Sequence, residues 1–261
     1  TGNVIMTGGF SGVASFGSGS AKQAITSLGG VDGYVAKYAP DGTFAWVRQL
    51  SGTGDEYARG VSTDRAGNIF IGGSFTDNVI AGSGSSKVTI RTFGNTDGYL
   101  AKFASNGNFV WIRQIGGTSV DFVYGITIDK DGNVAVSGTV NAGAVFGSGS
   151  NAKELITQSG YDAFVAKYTN DGDFVWVQGA GGSSSDQATS VTSDAAGNIY
   201  MAGYFYGGVF GTGADAQTVS SFLTISGGQS QDGFLAKYGP TGRLLWVRTL
   251  AGYGAEIFYS V

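Results

Sequence analysis

Four tryptophans divide the chain at nearly equal steps: Trp46, Trp111, Trp176 and Trp246 stand 65, 65 and 70 residues apart. Asn3, Asn68, Asn133 and Asn198 are each 65 apart, and Asp32, Asp97, Asp162 and Asp232 keep step with the tryptophans, as do Lys37, Lys102, Lys167 and Lys237. Self-similarity at a fixed period means tandem copies of one supersecondary unit, each burying its apolar face against its neighbours. The units run approximately 1–65, 66–130, 131–195 and 196–261 and read as a single domain, complete or cut from a longer chain. The five extra residues of the last unit fall between Asn198 and Asp232.

Within a unit the signal is β. The blocks DGYVAKY, DGYLAKF, DAFVAKY and DGFLAKY begin at the four aspartates, and FAWVRQL, FVWIRQI, FVWVQGA and LLWVRTL contain the tryptophans. These short runs alternate with period two and are rich in Val, Phe, Tyr and Trp. Between them lie PDGT, SNGN, NDGD and PTGR at 40–43, 105–108, 170–173 and 240–243. Gly and Asn accept positive φ cheaply, so these are hairpin turns. The third unit predicts strands over 125–129, 133–139, 163–168 and 174–179, with a Gly/Ser-rich insert that has room for a further short hairpin. Four antiparallel strands per unit, tandemly repeated, are the arithmetic of all-β propeller blades. The ends are in phase: Val261 aligns with Val191 and Thr1 with Ala66, so Ile257–Val261 is placed to complete the blade begun by Asn3–Phe10 and close a four-blade ring. The alternative is four units of a longer array.

Composition supports this reading and excludes others. The 47 glycines come with two prolines, which is not collagen, and with 17 Phe, 13 Tyr and 4 Trp, which is not a disordered linker. Charged residues are 13% and the net charge is −4, so no basic face awaits nucleic acid or anionic lipid. No stretch is apolar for the roughly 20 residues a membrane helix needs, and no signal peptide is apparent. Cysteine and histidine are absent, which removes disulfides, thiolate and imidazole metal ligands, cysteine nucleophiles and Ser-His-Asp triads.

The unit resembles the SBBP-type β-propeller repeat of bacterial cell-surface and secreted proteins. The resemblance rests on DGYLAKFASNGNFVWIRQIGGTSVDFVYGITIDKDGNVAVSGTV (97–140) and recurs four times along the chain. It implies extracellular or cell-surface placement and no catalytic activity.

Each recurring residue has a structural and a chemical reading. The four tryptophans suit a slot between neighbouring blades, against a ligand-stacking set. Asp32, Asp97, Asp162 and Asp232 suit strand-start acceptors of backbone N–H groups, against metal ligands. The lysines are expected to snorkel on an exposed face, paired with nearby acids where these are in reach. Asp129 and Asp131, in DKDGN, are the one weak calcium candidate, because the other units read DRAGN and DAAGN; a turn is the better reading, and no cofactor is expected. Ser62, Thr63, Thr127, Thr192, Ser193 and Ser260, with Asp64, Asp129 and Asp194, are expected along a central channel. The acids mostly recur as turn residues. The features that break the repeat, Asp55–Glu56, Glu154 and the longer insert 206–231, form no catalytic constellation. The function expected is a non-catalytic binding or scaffold module, with other protein domains, subunits or glycans as partners. A lectin-like propeller with one glycan site per blade and a subunit of an extracellular fibre or sheath are the alternatives. A hydrolase or lyase working in the channel is the weakest.

Overall fold

A computed structural model describes residues 2–141, 143–157, 160–222 and 230–261; the remainder of the insert 206–231 lies outside the described residues. The first unit supplies β1 (Val4–Phe10), β2 (Val13–Phe16), β3 (Gln23–Thr26), β4 (Asp32–Tyr38), β5 (Phe44–Leu50) and β6 (Glu56–Thr63). The second supplies β7 (Ile69–Ala81), β8 (Val88–Phe103), β9 (Phe109–Ile115) and β10 (Phe122–Ile128). The third supplies β11 (Val134–Val140), β12 (Val145–Phe146), β13 (Lys153–Glu154), β14 (Asp162–Tyr168), β15 (Phe174–Gly181) and β16 (Gln187–Ser193). The fourth supplies β17 (Ile199–Phe205), β18 (Gly208–Phe210), β19 (Gln217–Val219), β20 (Asp232–Tyr238) and β21 (Leu244–Leu250).

Pairing of neighbouring strands is antiparallel, in the orders β1-β4-β5, β6-β7-β8-β9, β10-β11-β14-β15-β18-β19 and β16-β17-β20-β21. The sheets therefore straddle the sequence units. The last strand of each unit is the first strand of the next sheet, which stitches consecutive blades together by chain crossing rather than by surface contact alone. The insert does form a hairpin: β2 pairs β3, β12 pairs β13, β18 pairs β19, and in the second unit β7 and β8 run on to form it.

The first strands pack directly on one another. Ser193 Oγ donates to the Ile128 carbonyl at 3.1 Å, and a Cβ on Gly60 would meet the Tyr124 carbonyl at 2.8 Å. Of the hydroxyls expected along a channel, Ser193 is thus taken up between strands, and Thr63 and Ser193 line a pocket of about 530 Å³ at one end. Sheet faces are sealed by blade-to-blade apolar clusters, one of them joining Val35 and Leu50 of the first sheet to Ile69, Ile71, Phe75 and Tyr99 of the second. β1 is the exception: it pairs only with β4, and Val4 and Met6 are exposed. Ile257–Val261 carries no strand. It lies against the fourth sheet, where Phe258 N–H donates to Gly203 O at 3.4 Å and Thr189 Oγ1 donates to Phe258 O.

Each first strand is bulged at the same place, with Arg59, Tyr124 and Thr189 as the extra residues. The bulge presses a carbonyl onto the partner strand, and glycine stands beneath it: a Cβ on Gly73, Gly138 or Gly203 would overlap the carbonyl oxygen of Tyr57, Phe122 or Gln187. Gly138→Ala is therefore expected to cost about 2–3 kcal/mol in chemical denaturation; an unchanged midpoint would mean the strands pair in another register.

Candidate interaction surface and blade joints

The tryptophans occupy the slots between blades. The indoles of Trp46, Trp111 and Trp176 lie under the turn glycine of the next blade, where Gly107, Gly172 and Gly242 adopt φ of 83–86°. A Cβ there would come within 2.9, 2.9 and 2.7 Å of Trp46, Trp111 and Trp176. Arg48 and Arg113 stack on Trp46 and Trp111 and donate to the carbonyls of Gly107 and Gly172, both at 2.8 Å. These three rings have a face spent on the fold.

The lysines do not lie on an exposed face. Lys37 Nζ donates to Ser105 O at 2.8 Å and Lys102 Nζ to Asn170 O at 3.0 Å, each reaching the next blade's turn. Lys167 is buried and sits 2.6 Å from Asp129. Turn carbonyls of the neighbouring blade need donors, and a long ammonium-tipped side chain supplies them. Asp129 Oδ1 accepts N–H bonds from Asp131 and Asn133. Burial opposes its charge, but Lys167 and those turn N–H groups outweigh burial and hold its pKa below the ordinary carboxylate value. Asp131 is paired with Lys130 at the surface. The donor set around Asp129 suits a lysine, and among the described residues no three acidic side chains gather as metal ligands.

At the other end of the strands, the aspartates that open the third strand of each blade accept backbone N–H groups. Asp32 Oδ2 takes Leu28 N–H at 3.1 Å, Asp97 Oδ2 takes Phe93 N–H at 2.9 Å, and Asp232 Oδ2 takes Phe222 N–H at 2.5 Å. Opposite them stands a second acid that the sequence reading passed over: Glu56, Asp121, Asp186 and Glu256, again 65, 65 and 70 residues apart. A Cβ on Gly116 would lie 2.8 Å from Asp97 Oδ1 and 3.0 Å from Asp121 Oδ2, so glycine makes room for two facing carboxyls. Asp121 accepts N–H bonds from Gly117 (2.8 Å) and Asn141 (2.9 Å), and Asp186 from Gly182 (3.0 Å) and Tyr206 (2.7 Å), clamping one blade to the next. Burial, only partly offset by those bonds, pushes both up to about 6. Glu56 is pushed up to about 8, by burial first and then by Asp32, Asp55 and Asp77.

The bulges open onto a surface that is not repeated. Arg59 lies over Tyr57, Phe122 and Tyr124 at 5.0, 5.6 and 5.5 Å from their ring centres, and Phe122 stacks on Tyr124. Tyr204, hydrogen-bonded to Gln187 at 2.9 Å, stands close enough to Tyr124 to perturb it. Equivalent positions read Tyr57, Phe122, Gln187, Ile257 and Arg59, Tyr124, Thr189, Tyr259. Constant frame and variable tips are the division expected of a binding face, and Tyr, Phe and Arg are the residues enriched in protein interfaces.

The segments 45–74 and 110–142 match the SBBP beta-propeller repeat model. Two segments of the chain thus read as SBBP repeats. Both matched segments run from the fourth strand of one blade, across the joint, into the second strand of the next. Over 153 residues, 56% of this chain, an uncharacterised WD repeat-containing protein of Acanthamoeba polyphaga mimivirus is 28% identical, and 11% of its length is covered. The regulatory protein FlaEY of Caulobacter vibrioides is 30% identical over 153 residues, 16% of its length. The chain thus spans a small part of the curated relatives it matches. A crystal structure of a Bacteroides caccae protein of unknown function overlays 95% of this chain and 74% of its own, at TM-score 0.36 and 11% identity.

Proposed function

We propose that the chain is a non-catalytic protein-interaction module whose binding face is the aromatic surface around Arg59, part of a secreted or cell-surface protein. The observation that carries this reading is the variation of the bulge residues on an otherwise constant blade. Arg59, Tyr57, Phe122 and Tyr124 are already stacked on one another, so little side-chain freedom is lost when a partner covers them. Relatives named for WD repeats and for regulation support a repeat protein that works through other proteins. Resemblance to repeats of surface and secreted proteins supports the location. In this reading the sheets are propeller blades.

A photo-crosslinking residue placed at Tyr124, in the cells that make the protein, is expected to give a discrete adduct. The same residue at Asp131, at the opposite end of the strands, is expected to give none. Free protein should compete the adduct away, and Arg59→Ala with Tyr124→Ala should compete at least ~10-fold less well. Equal adducts from both positions would remove this face as the binding site. Glycan stacking has less support, because three of the four recurring tryptophans are covered by a turn glycine.

A further inference from the structure

The joint between the first two blades differs from the Asp121 and Asp186 joints in one respect. Asp121 and Asp186 each have both carboxyl oxygens bonded to backbone N–H groups. Glu56, at the equivalent position and one methylene longer, has neither oxygen bonded to any donor, although it is fully buried. Thr76 N–H, equivalent to the Asn141 and Tyr206 donors, is spent on Asp55 O at 2.9 Å. Asp32, also fully buried, has Oδ1 without a partner. Three carboxyl oxygens from two buried side chains therefore have no N–H or hydroxyl of another residue to accept from, which is costly in a protein interior unless a proton or a cation is held there.

Neutral oxygens complete the surroundings. A Cβ on Gly52 would overlap the Asn78 carbonyl oxygen and lie 2.5 Å from Glu56 Oε1, so carbonyl and carboxylate face each other across that glycine. Thr53 Oγ1 is shared between Asp77 and Asn78 Oδ1 at the rim. We infer that Glu56, Asp32 and the Asn78 carbonyl form a calcium site that locks the first blade joint. The chemistry selects the ion. All donors are hard oxygens, two carboxylates balance one divalent charge, and a dry, irregular set suits calcium rather than magnesium, which keeps its waters and an octahedron. Calcium takes roughly six to eight oxygens; Thr53 Oγ1 and Asn78 Oδ1, hydrogen-bonded to one another at the rim, are the next oxygens available. The site is distinct from Asp129 and Asp131, whose oxygens are held by Lys167, Lys130 and turn N–H groups.

Titration calorimetry with calcium chloride at pH 7.5, after chelator treatment and dialysis, is expected to show one saturable site. Thermal unfolding should move upward with calcium and return with chelator. Glu56→Gln removes a buried charge and should fold; it and Asp32→Asn should each lose at least ~10-fold in affinity, while Asp131→Asn binds as the parent does. No saturable binding to the parent would overturn the site, as would binding retained in both joint variants. An equal response to magnesium chloride would overturn the assignment of the ion.

Discussion

Lys167→Met is expected to destabilise the protein by about 3–5 kcal/mol, the largest loss for any single side chain considered. Lys167 is 5% exposed, and its ammonium lies 2.6 Å from an Asp129 oxygen whose side chain is 1% exposed. Removing the cation leaves a carboxylate in the interior whose Oδ2 keeps only the long bond from Asn133 Nδ2 at 3.5 Å, because its Oδ1 is already committed to the N–H groups of Asp131 and Asn133. The double variant Lys167→Met with Asp129→Asn should recover much of the loss, since an asparagine Oδ1 can still accept both turn bonds without a buried charge. Urea denaturation of the parent, both single variants and the pair gives the coupling directly. Lys37→Met is the control: its ammonium reaches only the Ser105 carbonyl, and its side chain is half-buried, so a cost of about 1 kcal/mol is expected. A loss of under about 1 kcal/mol for Lys167→Met would mean that water reaches Asp129.

The strands were legible because two local signals agreed, period-two alternation and turn chemistry. The segment 163–168 was expected and Asp162–Tyr168 is found; 174–179 was expected and Phe174–Gly181 is found. The short insert hairpin was legible for the same reason. What was not legible depends on contacts between blades. The lysines looked like surface residues because alternation places them beside aromatics; only the arrival of the next blade's turn buries Lys102 and Lys167. The second acid of each joint repeats as strictly as the first, but it alternates between Glu and Asp and stands beside Asp55 in the first unit, so it read as an isolated acidic pair. The binding face had no sequence signature at all. Arg59 and Tyr124 meet because a bulge turns each outward and because adjacent sheets draw their first strands from consecutive units.

Stability is expected to fall as pH rises from 4 to 7, the reverse of ordinary acid denaturation, because the joint carboxyls Asp121 and Asp186 are raised from 3.8 to about 6. A carboxyl raised on folding binds more protons in the folded state than in the unfolded chain between those two values. Its contribution is therefore complete below about pH 4 and is lost as pH climbs through 6. At about 1.4 kcal/mol per pKa unit, each joint can lose on the order of 3 kcal/mol. Burial sets the direction. Asp121 has Asp97 across Gly116, which adds repulsion as both ionise, while the N–H bonds from Gly117 and Asn141 hold the rise in check. Asp64, Asp129 and Asp194 at the other end act oppositely: their pKa values are lowered, so what they contribute is present above 3.8 and lost only as pH falls below it. The two windows meet near pH 4, which places the maximum there. Urea midpoints at pH 4, 5, 6 and 7.5, taken with chelator on a Glu56→Gln background, isolate the effect from the first joint. Asp186→Asn should flatten part of the slope while lowering stability at every pH, because one amide oxygen cannot serve both Gly182 and Tyr206. Stability that climbs from pH 4 to 7 would show instead that water reaches the joints and that these carboxyls ionise as they do in an unfolded chain.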